Sequence, residues 1–440
     1  MSAADPLRFV SSRGAAPPLA LGAALRQGLA SDGGLYVPER WPQLHAEDFA
    51  GGASLPEVGA RLLEPFAGGD ALAAALPEIL REAFNFPAPR VELGAQGRLA
   101  VLELFHGPTA AFKDFGARFL AACFTRLRAP QEAPLTILVA TSGDTGAAVA
   151  AAFHRRPGIE VVVLFPKGRV SPTQERQLTC WGENVRAFAV RGSFDECQRL
   201  VKEAFLDAEL RAGRTFSSAN SINLGRLLPQ SVYYAATSLE IYGRYGAPAS
   251  FIVPSGNLGN VLACLWARRV GLPIRRVILA HNANRAVPDY LASGTWQPRS
   301  SVATLASAMD VGNPSNMERL QALYPDLDAL RAAVRAQTVS DKEIRERIRR
   351  GYAQYGQIWC PHTATAAEVY ERLSPAERTS EHWVLVATAH PAKFPEIVAP
   401  LIGRVPEPPP SLARLFARPT HCREIAADLA ALRAALEETG

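Results

Sequence analysis

The sequence predicts an α/β protein built on two open, mostly parallel sheets. Three observations lead there. From residue 99 onward, short apolar runs of strand length alternate with stretches of helical periodicity. The runs are continuously apolar rather than alternating, as in strands covered by helices on both faces. Several runs end in a Gly-, Ser-, Thr- or Asn-rich turn that opens the next helix. Ligands of open α/β sheets bind beyond these carboxyl ends of the strands. With 440 residues the chain exceeds one simple core, so more than one domain is expected.

Residues 1–95 read as a separate N-terminal unit. Its segments are a short strand and turn at 9–14, a helix at 19–29, a turn into a strand at 31–38, and helical patterns at 55–63 and 70–84. No titratable group in this unit is arranged for chemistry, and it reads as a scaffold that helps shape a pocket. Residues 96–235 form the second unit. It holds strands at 99–104, 135–140, 159–165 and 185–190, helices at 147–154, 174–181 and 194–210, and the start of a long helical segment over 224–242. Residues 236–440 continue the alternation, with strands at 251–254, 274–280 and 383–388, helices at 260–269 and 392–401, and a short proline-rich connector at 406–410.

Composition narrows the function classes. The chain is 48% hydrophobic and 20% charged with a net charge of +5, as in an ordinary globular protein. Its arginines are scattered, many beside glutamates on helices, and form no nucleic-acid-binding arm. No apolar stretch is long enough to span a bilayer, and the first residues lack a secretory apolar core. The six cysteines form no CxxC pair and have no histidine cluster beside them. Neither a metal site nor a disulfide framework is expected, and a reducing cytoplasm is the default location.

One junction stands out. Only five of the 47 Lys and Arg residues are lysines. One of them, Lys113, lies where the strand at 99–104 and the turn at Gly107 and Pro108 give way to a helix marked by Phe112, Phe115, Phe119, Cys123 and Leu127. A chain that otherwise uses arginine has reason to keep lysine where a primary amine must react, because a guanidinium stays protonated. The residues alone leave two readings open: a lysine that carries an aldehyde cofactor, or one snorkelling at a helix start. Three strand-end loops accompany it, at 141–146, 254–260 and 388–394. The second has no Gly-Lys-Ser/Thr and is no GxGxxG. It still offers consecutive N–H groups, Gly256 and Gly259 without Cβ atoms, and a helix dipole behind them. Such turns are usually structural when met singly; the combination with Lys113 is more specific.

Together these segments resemble the threonine synthases, pyridoxal-phosphate enzymes of fold type II (tryptophan synthase β-like). The similarity runs through residues 12–14, 28–38, 106–114, 141–146, 166–168, 220–223, 255–260, 309–316 and 387–394. It implies two mostly parallel open-sheet domains plus a family-specific N-terminal domain. It gives Lys113 the covalent bond to pyridoxal 5'-phosphate. It assigns Ser255, Gly256, Asn257, Leu258, Gly259 and Asn260 to the cofactor phosphate, and the Thr388 hydroxyl to the pyridine nitrogen. Ser142 and Thr145 would hold the substrate carboxylate, and Asn220, Ser221 and Arg226 the substrate phosphate. Asp144 stands where many fold type II relatives carry an Asn facing the cofactor's phenolic oxygen; a carboxylate there repels a phenolate unless one of them is protonated, so its role is open. His106 and His390 are candidates for pocket groups, but a histidine at a helix or strand end is more often a satisfied structural residue, and the structural reading is favoured.

The implied reaction converts O-phospho-L-homoserine and water to L-threonine and phosphate, the last step of threonine biosynthesis. It requires a Lys113 amine that is neutral near pH 7, with Phe112 and Phe115 supplying desolvation. No metal, nucleic acid or membrane is implied, and the enzyme is expected as a monomer or homodimer. The alternatives are a threonine/serine dehydratase of the same fold type, which needs no second phosphate site, and a catalytically silent relative that binds cofactor or a partner. A nucleotide-binding dehydrogenase is disfavoured by the missing GxGxxG.

Overall fold

Two parallel-rich sheets carry the molecule, and neither is made from one contiguous piece of chain. The computed structural model describes residues 6–50, 54–94, 97–129 and 131–438. The extreme N-terminus and the boundary expected at 95/96 lie outside the described residues. The strands are β1 (Phe9–Ser11), β2 (Tyr36–Pro38), β3 (Arg90–Leu93), β4 (Leu99–Glu103), β5 (Leu135–Ala140), β6 (Ile159–Pro166) and β7 (Val185–Arg191), followed by β8 (Thr215–Ser217), β9 (Ala249–Pro254), β10 (Ile274–His281), β11 (Arg335–Thr338), β12 (His382–Ala387) and β13 (Arg423–Ala426). The larger sheet has six strands in the order β11-β10-β9-β12-β4-β3, and the smaller has five in the order β13-β7-β6-β5-β8. All pairings in both are parallel except β3 against β4. Strands from both sides of residue 235 thus enter each sheet.

The continuous apolar runs are explained by burial. Every residue of β5, β9 and β12 is buried, because helices cover both faces. Four strands give no such run in the sequence: β3, β8, β11 and β13. All four are sheet edges: β11 and β3 of the larger sheet, β13 and β8 of the smaller. Edge strands such as Arg335–Thr338 and Arg423–Ala426 are half solvated and polar, so backbone pairing defines them rather than hydrophobic patterning. The helical segment expected over 224–242 is broken at Pro229, which has no N–H to donate. It resolves into Leu224–Leu227, a 3-10 turn at Leu228–Gln230, and the helix Ser231–Tyr245.

The N-terminal unit pairs β1 with β2 in a small antiparallel sheet. Its helices Leu55–Ala67 and Leu76–Ala83 cover the core. The second begins six residues later than the periodicity from residue 70 suggested, after a series of turns. Phe84, at its end, meets Phe115 edge-on, with ring centroids 5.5 Å apart. Phe86 and Tyr233 complete the ring cluster around Phe115, at 4.6 and 5.1 Å. The scaffold therefore reaches the helix Lys113–Leu127 two residues from its first lysine.

Candidate active site

Sheet register brings Lys113 and Thr388 together. β4 and β12 run side by side from Leu99↔Trp383 to Glu103↔Ala387, so their outgoing loops leave at one level. The loops continue to pair. Phe112 donates its N–H to Thr388 O at 2.9 Å, and His390 donates to Ala110 O at 3.0 Å. Ala110 is held at φ 54°, an uncommon conformation for a residue with a Cβ. Asp114 secures the turn before the helix: Thr109 donates to it from N at 2.8 Å and from Oγ1 at 2.7 Å.

Lys113 retains some accessible surface and has no hydrogen-bond acceptor among the described residues. Desolvation lowers its pKa to about 8, opposed by Asp144 and reinforced by Arg226 and Lys393. Arg226 lies close because the helix leaves it room: a Cβ at Gly116 would stand 2.4 Å from the Arg226 carbonyl oxygen. Of the two phenylalanines expected to supply desolvation, the half-buried Phe112 has its ring centroid 5.9 Å from Lys113 Nζ, while Phe115 is fully buried in the ring cluster with Phe84, Phe86 and Tyr233.

Asp144 starts the helix after β5 and has a cationic neighbour that sequence reasoning did not assign. Lys393 Nζ donates to Asp144 at 2.8 Å and to Thr109 O at 2.9 Å, with its side chain wholly buried. Gln174 Nε2 adds a bond to the same carboxylate oxygen at 3.3 Å. Burial alone would raise the Asp144 pKa; the Lys393 ammonium, helped by Lys113, outweighs it and holds the carboxyl below its usual range. Asp144 is therefore ionised and neutralised by a fixed ammonium. His362 lies nearby and is uncharged at neutral pH, its pKa lowered by burial to about 4; its Nε2 accepts from Ala308 N at 3.1 Å. The scarcity of lysine that singles out Lys113 applies equally to Lys393 and was the signal available.

The 255–260 loop forms a cradle at the start of the helix Gly259–Arg269. A Cβ at Gly256 would lie 2.7 Å from Met309 Cα, so only glycine lets the 309–316 segment close over the loop. Leu258 takes φ 64° and aims the following N–H groups along the helix start. Ser255 is tied to Val253 O at 2.8 Å. Asn260 is buried; its Oδ1 accepts from Tyr233 at 2.5 Å and Tyr234 at 2.9 Å, while its Nδ2 has no partner among the described residues.

A second polar cluster lies after β8. Asn257 and Asn316 both donate to Ser221 Oγ, at 2.6 and 3.2 Å. Asn220 Oδ1 and Arg226 Nε are buried without partners among the described residues. Arg226, 2% exposed, donates to Ala219 O and pairs with no carboxylate among the described residues. Arg319, also unassigned by sequence reasoning, is fully buried and clasps carbonyls of Tyr36, Ser221 and Ile222 at 3.0, 3.0 and 2.7 Å. Two guanidinium charges without acid partners make this cluster attractive to an anion. In the loop after β5, Thr141 Oγ1 receives Gly143 N at 3.0 Å and Gly146 N at 2.9 Å. That leaves the half-buried Ser142 and Thr145 with no side-chain hydrogen bond among the described residues. These loops thus present an amine without an acceptor among the described residues, a glycine cradle with an orphaned amide, and a second, basic cluster, a donor set that fits pyridoxal 5'-phosphate and a second phosphate.

Three families match the chain: Pyridoxal-phosphate dependent enzyme over residues 62–389, Threonine synthase N terminus over 8–84, and Threonine synthase, C-terminal over 363–436. The chain belongs to the threonine synthase family. The threonine synthase of Haemophilus influenzae is 41% identical, over 94% of this chain and 95% of the relative. That of Escherichia coli is 39% identical, over 93% and 94%. The crystal structure of pyridoxal-phosphate-bound threonine synthase from Brucella melitensis superposes with a TM-score of 0.90 at 37% identity, covering 98% of each chain. The protein is accordingly a pyridoxal-phosphate-dependent lyase of amino-acid biosynthesis with the fold type II architecture, and it acts on a small molecule. These matches do not favour the dehydratase or the silent binding protein. No helix among the described residues is long and apolar enough to cross a membrane.

Proposed function

We propose that this cleft converts O-phospho-L-homoserine and water to L-threonine and phosphate with Lys113 as the covalent and proton-moving residue. The observation that carries the assignment is the Lys113 amine, without an acceptor among the described residues and with its pKa lowered to about 8, facing Asp144 and Arg226. Ser255, Gly256, Asn257, Leu258, Gly259 and Asn260 hold the cofactor phosphate, mostly through backbone N–H groups. Thr388 offers its hydroxyl to the pyridine nitrogen. When bound, pyridoxal phosphate supplies an electron sink for charge at the substrate's α-carbon. Lys113, once released as a free amine, takes the α-proton and then the β-proton, which requires it to be neutral. Ser142 and Thr145 orient the substrate carboxylate. Asn220, Ser221 and Arg226 hold the phosphate that leaves the γ-carbon.

The same proposal takes the enzyme as cytoplasmic, a monomer or homodimer, working without nucleic acid or membrane, and organised along the chain as 1–95, 96–235 and 236–440. The deciding experiment incubates purified protein, pyridoxal phosphate and O-phosphohomoserine. One threonine per phosphate released is expected. Release of phosphate without threonine, or activity on unphosphorylated threonine instead, would remove the reading.

A further inference from the structure

Two lysine amines compete for one carboxylate in this cleft. Asp144 follows β5 of the five-stranded sheet. Lys113 and Lys393 follow β4 and β12, neighbours in the six-stranded sheet. Only Lys393 makes the pair: its ammonium bridges Asp144 and the Thr109 carbonyl at 2.8 and 2.9 Å, with no accessible surface. Its ion pair therefore crosses from one sheet to the other. Thr109 is held in turn by Asp114, and its carbonyl takes a second bond from Gln177 Nε2 at 3.0 Å, so the ammonium cannot drift without breaking a buried network. Lys113 is left without an acceptor among the described residues.

We propose that Lys393 is a positioning residue: by occupying Asp144 it denies Lys113 a counter-ion and leaves that amine free to be neutral, a role that rests on the reading of Lys113 as the cofactor lysine. The Lys393 amine is committed to Asp144 and the Thr109 carbonyl, whereas Lys113 is desolvated beside a second cation, which favours its neutral form. The other titratable groups facing the pair are consistent with this division, among them His390 beside Lys393, whose pKa burial lowers to about 4. Arg226, from Leu224–Leu227, adds positive charge near Lys113. His362, from Pro361–Glu371, faces Asp144 as a neutral ring. Asp114 lies toward Thr109, Lys393 and Arg226 rather than Lys113. Cys360, near Asp144, is a buried thiol kept protonated. Without Lys393, Asp144 would turn to the remaining amine and fix the proton on Lys113.

The test reads the titration of Lys113 directly. Full-length protein is stripped of cofactor, checked for recovery of cofactor binding, and labelled with trace acetic anhydride across pH; the Lys113 peptide is quantified by mass spectrometry. Lys393→Met should raise the midpoint of Lys113 labelling by about one unit or more, the scale of a new opposite charge at close range. Lys393→Gln, which keeps donors for Thr109 and Asp144 but loses the charge, should shift it the same way and guards against a packing defect in the methionine variant. Asp144→Asn should lower the midpoint, and the double variant Asp144→Asn/Lys393→Met should return it toward wild type. A midpoint unmoved or lowered in both Lys393 variants, or moved the same way by Asp144→Asn, overturns the proposal. Borohydride reduction of the cofactor-bound protein separates this from the underlying reading. Cofactor trapped on another lysine removes Lys113 as the cofactor lysine, while the labelling midpoints still decide whether Lys393 governs its proton.

Discussion

Asn257 donates from Nδ2 to the Ser221 hydroxyl at 2.6 Å, joining the loop after β9 to the loop after β8. The amide cannot face the other way, because its Oδ1 accepts from Ser315 N at 2.7 Å. Asn316 is fixed likewise: Arg319 donates to its Oδ1 at 2.7 Å, leaving its Nδ2 for Ser221 at 3.2 Å. Ser221 Oγ thus spends both acceptor sites on amides, and its one proton is left to donate.

A hydroxyl constrained to donate suits an anion. Ser221→Ala should therefore raise KM for O-phosphohomoserine about tenfold or more, the range for a hydrogen bond to a charged group. Cofactor affinity should fall less. Steady-state kinetics alongside a cofactor titration separates the two. An unchanged KM would take Ser221 out of the substrate site.

Lys113→Ala should abolish both turnover and borohydride-trapped cofactor. In wild-type protein freed of cofactor, the rate of covalent reaction with pyridoxal phosphate should climb as pH rises through about 8 and level off above it. The sign follows from the chemistry: below its pKa of about 8 the amine is protonated and cannot attack. A rate still climbing up to pH 10, as for an ordinary exposed lysine, would show that the cleft does not depress this amine.

What the sequence made legible follows from what each signal depends on. β5, β9 and β12 were visible because burial on both faces leaves only apolar residues. β11 and β13 were not, because an edge strand such as Arg335–Thr338 is defined by its neighbour's backbone. Strand exchange between the sheets was hidden for the same reason: nothing in Leu99–Glu103 says that it pairs with His382–Ala387 across nearly three hundred residues. Lys113 could be picked out by its rarity and its place before a helix. Lys393 was equally rare and lay in a loop already singled out, but its significance depends on reaching Asp144 from another sheet, which no local pattern encodes. Arg319 looks like any helix arginine until its burial against three carbonyls is seen.

Arg226 separates affinity from stability. Its guanidinium is 2% exposed and burial lowers its pKa to about 10, with Asp114 only partly offsetting the effect. A buried cation without a bonded carboxylate destabilises the fold that contains it, and in the proposed function that charge serves the substrate phosphate. Arg226→Met keeps the bulk and removes the charge. It should leave the melting temperature of the cofactor-free protein unchanged or higher, while kcat/KM for the phosphorylated substrate falls at least about a hundredfold, the scale of a lost charge-assisted contact. Differential scanning calorimetry and kinetics on the same preparation check both halves. A large drop in melting temperature would make Arg226 a structural residue instead.

The orientation of Asn260 is set by two phenols. Burial pushes Tyr233 and Tyr234 well above the ordinary tyrosine pKa, so both remain donors at working pH. Both hydroxyls reach Asn260 Oδ1; Tyr233 lies farther from its other acceptor, Gln230 Oε1, at 3.3 Å. With Oδ1 doubly engaged, Nδ2 is the face left beside the Gly259 helix start, and it is buried without a partner among the described residues. One phenol suffices to hold this orientation, whereas losing both lets the amide turn. Tyr233→Phe and Tyr234→Phe should each weaken pyridoxal phosphate binding by less than about threefold, and the double variant by about tenfold or more, because the two hydroxyls act through one amide. Phenylalanine preserves the rings packed on Phe115 and Phe251, so the effect isolates the hydrogen bonds. Dissociation constants from absorbance titrations of the four proteins give the coupling directly. If the single effects simply add, the two phenols act independently, and Asn260 is not the group through which they reach the cofactor phosphate.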